Sequence, residues 1–201
     1  MNLRSLAASI ALLAAVAPSA NAGILRFEAT LSPLNETPAV GGSSGTGFAT
    51  LDYDDVAHTL LVNATWSGLT GPTTVAHIHC CGLPTTTAAV AVTPGTFPGF
   101  PTGLTSGSYT SPLLSLTTAT TFTPGFVTTF AGGNLANAEG TLLQSFRDGT
   151  AYFNIHSTFA PGGEIRGTVQ VPEPGVLSLM GIGMLGLYFA RRRFGILKQV
   201  I

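Results

Sequence analysis

Lysine is nearly missing from this chain. Of 201 residues only Lys198 is one, and charged residues of all kinds make up 8%. A protein that grips nucleic acid needs a basic stripe to meet the phosphates, and none is present. Between Gly23 and Pro172 three arginines (Arg26, Arg147, Arg166) stand against eight acids, a net charge of −5 with histidine neutral. Without lysine before a Ser or Thr there is no phosphate-binding loop, and the two cysteines are adjacent, so no Cys-x-x-Cys pair exists. These absences argue against nucleic acid as a partner and leave no catalytic residue to name. Abundant glycine, proline and threonine instead mark a β-rich exported protein.

Both ends are apolar and stand apart from the body. Met1 to Arg4 is a charged start, Leu6 to Ala17 an apolar run, and Ala20-Asn21-Ala22 a small-x-small cleavage site. Residues 1–22 therefore read as a signal peptide that delivers the chain to the Sec export machinery. At the other end Pro172-Glu173-Pro174 precedes an uncharged apolar stretch, residues 175–190, and then Arg191-Arg192-Arg193. The stretch is a membrane helix by composition, and the arginines set its cytoplasmic end, with 194–201 as a cytoplasmic tail. The order of motif, helix and basic cluster over 172–193 resembles the PEP-CTERM sorting signal of Gram-negative bacteria. That resemblance implies an inner-membrane-anchored intermediate, processing by an exosortase, and release to the cell surface or extracellular matrix.

The body, residues 23–171, reads as one all-β domain: a Greek-key-like antiparallel sandwich or barrel with one short helix, followed by the C-terminal transmembrane helix. Leu25–Leu31, Gly47–Tyr53 and Thr59–Trp66 alternate apolar and polar residues, with Asp54–His58 as a hairpin turn. Cys80 to Asn134 is Thr-, Pro- and Gly-rich and reads as packed loops, with one strand over Ser108–Leu116. Asn137–Arg147 is the one helix, with Leu142, Leu143 and Phe146 on its buried edge and Asp148-Gly149 ending it.

Three stretches carry the chemistry. In Val75-Ala76-His77-Ile78-His79 a period of two puts both histidines on one face. Tyr152, Asn154 and His156 share a face opposite Phe153 and Ile155. Glu164 and Arg166 share a face opposite Ile165, and are expected to pair with each other or with Glu36. Together with Asn35-Glu36-Thr37-Pro38 and Gly45-x-Gly47, these motifs, in this order, resemble the CHRD domain over Leu25 to Val169. The resemblance implies an extracellular β-domain without a defined activity.

Two readings of the histidines stay open. His77, His79 and His156 can be three imidazole ligands for Cu or Zn, much as a His-x-His pair and a third strand hold copper in Cu/Zn superoxide dismutase. Alternatively they hydrogen-bond Asn154, Glu36 or Glu164 and fix the sheet's register. Cys80 and Cys81 can form a vicinal disulfide, cross-link two molecules, or serve as soft ligands beside His79. His58 is expected to be solvated in its turn. The expected function is a non-enzymatic structural or binding role at the cell surface, in exopolysaccharide or biofilm assembly, with exopolysaccharide or surface proteins as partners. The alternative is a Cu/Zn-binding protein with dismutase-like redox activity.

Overall fold

The computed structural model describes residues 23–83, 85–172 and 180–189. The chain runs β1 (Ile24–Leu31), β2 (Thr46–Asp54), β3 (Thr59–Ser67), β4 (Thr73–Cys80), β5 (Val90–Val92), β6 (Gly107–Thr110), β7 (Leu114–Ser115), α1 (Pro124–Phe130), α2 (Ala138–Arg147), β8 (Ala151–Ser157) and β9 (Ile165–Thr168). The strands form two antiparallel sheets. One is ordered β1-β2-β3-β6, with β7 also on β3; the other is ordered β5-β4-β8-β9.

Alternation explains why the sheets meet. Phe27, Ala29 and Leu31 of β1, Leu51 of β2, and Leu60, Val62 and Trp66 of β3 are buried from the first sheet. Ala76 and Ile78 of β4 and Phe153 and Ile155 of β8 are buried from the second. All join one apolar core. Burying each large side chain stabilises the fold by about 1.5–3 kcal/mol before chain entropy is subtracted. One side of the sandwich is closed by backbone bonds between β1 and the β9 region. Glu28 N–H donates to Gln170 O at 2.8 Å, and Ser32 N–H to Arg166 O at 3.0 Å. Gly167 sits at this seam, where a Cβ would lie 2.3 Å from Thr30 O.

Two sequence expectations need correction. The Thr/Pro/Gly-rich segment contains a second α-helix, α1. Thr123 caps it by accepting from Phe126 N–H at 3.2 Å, and Pro124 occupies its first turn. Thr-Pro read as loop text is in fact a helix start, because proline's missing N–H costs nothing there. The single strand expected over Ser108–Leu116 is two short ones, β6 and β7, parted at Pro112. The helix α2 is as expected: Leu142, Leu143 and Phe146 are buried, and Phe146 meets Phe27 edge-on at 5.1 Å.

The signal peptide, residues 173–179 and residues 190–201 lie outside the described residues, so the expected membrane helix over 175–190 is only partly covered. Residues 180–189 are helical. Among the described residues no helix is long and apolar enough to cross a membrane.

Candidate metal centre

The functional face is the outer face of the second sheet. Register places His77 opposite Asn154 and Asn154 opposite Arg166, and in the next row His79 opposite Tyr152 and Tyr152 opposite Thr168. The same register sets Val75 against His156, which puts that ring on the face of the other two. Although this face points away from the core, loops roof it over. His77, His79 and His156 retain only 7–8% of their exposure.

Each imidazole is tethered by one nitrogen to a backbone carbonyl. His77 Nε2 lies 2.7 Å from Gly95 O, His79 Nδ1 2.8 Å from Ala88 O, and His156 Nδ1 2.8 Å from Pro161 O. A carbonyl only accepts, so each tethered nitrogen carries the proton. The other nitrogen of each neutral ring is then a bare lone pair. These three lone pairs converge, and one ligand atom from each ring lies within 4.8 Å of the others. His77 Nδ1 faces His156 Nε2 at 3.2 Å. His79 Nε2 is buried with no hydrogen-bond partner at all.

Protonation does not resolve the conflict at neutral pH. Burial pushes all three histidines below the usual range, with His79 down to about 4. Shifting one proton into the His77–His156 contact would instead leave a lone pair facing the Gly95 or Pro161 carbonyl. Three acceptors gathered within 4.8 Å of one another suit a cation. A metal–nitrogen bond of about 2.0–2.1 Å requires nitrogens roughly 3.4–3.6 Å apart; His77 Nδ1 and His156 Nε2 stand 3.2 Å apart, and the three ligand atoms lie within 4.8 Å of one another. Tethering by carbonyls that fix ring orientation is the outer-shell arrangement of metal-binding histidines. None of the three rings bonds Asn154, Glu36 or Glu164; the contact that links these rings across β4 and β8 is that of His77 with His156.

The other polar residues divide into two groups. Arg166 does not pair with Glu164. Its Nε donates to Asn35 O and stands 3.8 Å from Glu36 Oε2, Nη1 donates to Thr86 O at 3.2 Å, and Nη2 donates to Thr37 Oγ1. The guanidinium lies 4.5 Å above the Tyr152 ring, whose own ring stacks on His79 at 4.7 Å and 6°. Burial raises the Glu36 carboxyl to about 7, with Arg166 pulling back part of the way. Glu36 Oε1 and Asn154 Oδ1 are both buried without partners, and both crowd Gly163.

Glu164 turns elsewhere. It precedes β9 by one residue, and each carboxylate oxygen takes two donors. Oε1 accepts from Ser43 Oγ and Thr70 N–H, both at 2.6 Å; Oε2 accepts from Ser157 Oγ and from Gly71 N–H at 3.4 Å. The carboxylate thereby clasps three turns. Ser43 stands at the centre of Gly41-Gly42-Ser43-Ser44-Gly45, the spacing of a serine nucleophile elbow, but the loop feeds a strand and Ser43 is engaged by Glu164.

Cys80 and Cys81 are joined to each other by a disulfide. Cys80 belongs to the apolar core, on the opposite parity of β4 from His79, and is not a ligand. His58 is not simply solvated; its Nδ1 pairs with Glu139 at 2.9 Å. Of the sorting residues only Pro172 is described; Glu173, Pro174, Arg191, Arg192 and Arg193 fall outside. Sequence reasoning missed the carbonyls of Gly95, Ala88 and Pro161, since backbone acceptors leave no signature in residue type.

Comparison with known proteins gives two family matches. The CHRD domain matches residues 27–169, and the PEP-CTERM protein-sorting motif matches residues 170–193. No curated protein and no solved structure matches the chain.

Proposed function

The chain belongs to the CHRD domain family and carries a PEP-CTERM sorting motif, and from that premise we propose an exported surface protein whose sandwich holds one copper or zinc ion on His77, His79 and His156. The motif addresses the chain for export in a Gram-negative bacterium, through a membrane-anchored intermediate processed by an exosortase. The observation that carries the metal reading is the convergence of three bare nitrogens, one of them, His79 Nε2, buried without a partner. A ligand that binds only the folded state stabilises it, by about 2.7 kcal/mol at a hundredfold excess over Kd. Copper or zinc should therefore raise the melting temperature of the wild type and leave the His77→Ala/His79→Ala variant unmoved. A wild type whose melting is indifferent to both metals would sink the reading.

The role of the exported protein is structural or binding, in the assembly of an exopolysaccharide-containing surface or biofilm matrix. Support comes from the sorting class and from a cavity of about 460 Å³ beside the metal face, lined by Glu36, Thr37, Thr85, Tyr152, Arg166 and Gln170. Its hydroxyls and amides, beside the Arg166–Glu36 pair, suit a polyhydroxylated ligand. Deleting the gene should change matrix composition or cell aggregation; an unaltered matrix and surface proteome contradicts this role. Redox activity is the alternative for the same centre, read by dismutase and oxidase assays on copper-loaded protein.

A further inference from the structure

Resting on the three-histidine reading, we infer that the centre is built for monovalent copper, Cu(I), in preference to Zn(II). The argument is one of charge. All three ligands are neutral imidazoles, and the groups behind them are the carbonyls of Gly95, Ala88 and Pro161, also neutral. Among the described residues no carboxylate or thiolate joins the cluster. Glu164 is held in its clasp of hydroxyls and amides, and Glu36 stands 3.8 Å from Arg166. A fixed charge that acts on His79 has the wrong sign for a cation. Arg166 lies over one face of Tyr152, and His79 is stacked on that ring.

The cost of placing an ion in such surroundings rises with the square of its charge, about fourfold from +1 to +2. A structural Zn(II) site offsets this with thiolates or carboxylates and fills four positions, and a three-histidine Zn(II) site adds a bound water as its fourth ligand. Among the described residues three imidazole nitrogens gather here and no Cys, Asp or Glu ligand stands with them. Cu(I), a closed-shell monovalent ion content with three ligands, matches both the donor count and the charge. Softer thiolate and thioether ligands are the usual choice for Cu(I). This centre reaches the same selection by withholding negative charge.

The test uses the full chain, purified in detergent, and the metals alone. Cu(I), supplied anaerobically, is titrated against a chromophoric Cu(I) chelator, and Zn(II) against a chromophoric zinc chelator, both at pH 7. The expected result is one Cu(I) per chain, held at least about a hundredfold more tightly than Zn(II). A second readout needs no variant. The Cu(I)-loaded protein is opened to air and followed by electron paramagnetic resonance, where only Cu(II) is visible. It should stay silent over hours. Zn(II) binding as tightly as Cu(I), or a Cu(II) signal that grows to the full copper content, overturns the inference while leaving a metal centre in place. Failure to bind either ion overturns the metal reading itself.

Discussion

Replacing Glu164 by glutamine tests how this fold locks its turns. The carboxylate gathers the loop at Ser43, the β3–β4 turn at Thr70 and Gly71, and the end of β8 at Ser157. Glutamine keeps the shape and one accepting oxygen. That oxygen must serve Ser43 and Thr70, because Thr70 N–H cannot reverse its role. The new NH₂ then faces Ser157, whose hydroxyl can turn to accept, and Gly71 N–H, which cannot. The variant loses charge assistance on every bond and leaves one backbone donor unmet, a cost of about 2–4 kcal/mol. With a urea dependence of about 2 kcal/mol per M, the unfolding midpoint falls by roughly 1–2 M. The pH profile separates this from mere loosening. Burial pushes the Glu164 pKa up, but the bonds from Ser157, Ser43, Thr70 and Gly71 together hold it below its ordinary value of 4.5. Its contribution is therefore complete above the unfolded-state pKa and is lost as pH falls through the lower folded-state value. The gap between wild type and variant should be full at neutral pH and close in strong acid. A midpoint shift below about 0.3 M, or a gap that does not change with pH, refutes the clasp.

Glu36→Gln should act with the opposite sign. Because burial raises the Glu36 pKa to about 7, its stabilising contribution is whole below the unfolded value and lost as pH rises through 7. The variant should gain about 3 kcal/mol on wild type between acid and alkaline buffer, and parallel urea curves at both pH values would count against it. Gly167→Ala forces a Cβ to 2.3 Å from Thr30 O. It should cost about 3 kcal/mol or more and speed amide exchange at Ser32 and Gln170; wild-type exchange there would show that the seam tolerates a side chain.

Much of this fold is legible in the sequence because alternation is a local property. Phe27, Leu51, Leu60, Ile78 and Phe153 each sit in a period-two run, and each is buried. The same rule puts His77 with His79, and His156 with Tyr152 and Asn154. It fails at Glu164, which stands just before β9 in a turn, where parity no longer fixes direction. It is silent on what closes the histidine face. Gly95, Ala88 and Pro161 contribute only carbonyls from aperiodic segments, so neither the tethering of the rings nor their tautomers could be read in advance. The disulfide between Cys80 and Cys81 is one of three outcomes that adjacency allows, and the core position of Cys80 follows from strand parity only once β4 is known to extend to it.

The central claim is that three histidines hold a metal ion, and its most direct test is elemental mass spectrometry on the chain purified without a histidine tag. The account predicts about one equivalent of copper or zinc per chain, absent from a His77→Ala/His79→Ala variant that still folds. A wild type that remains metal-free after exposure to both ions would contradict it.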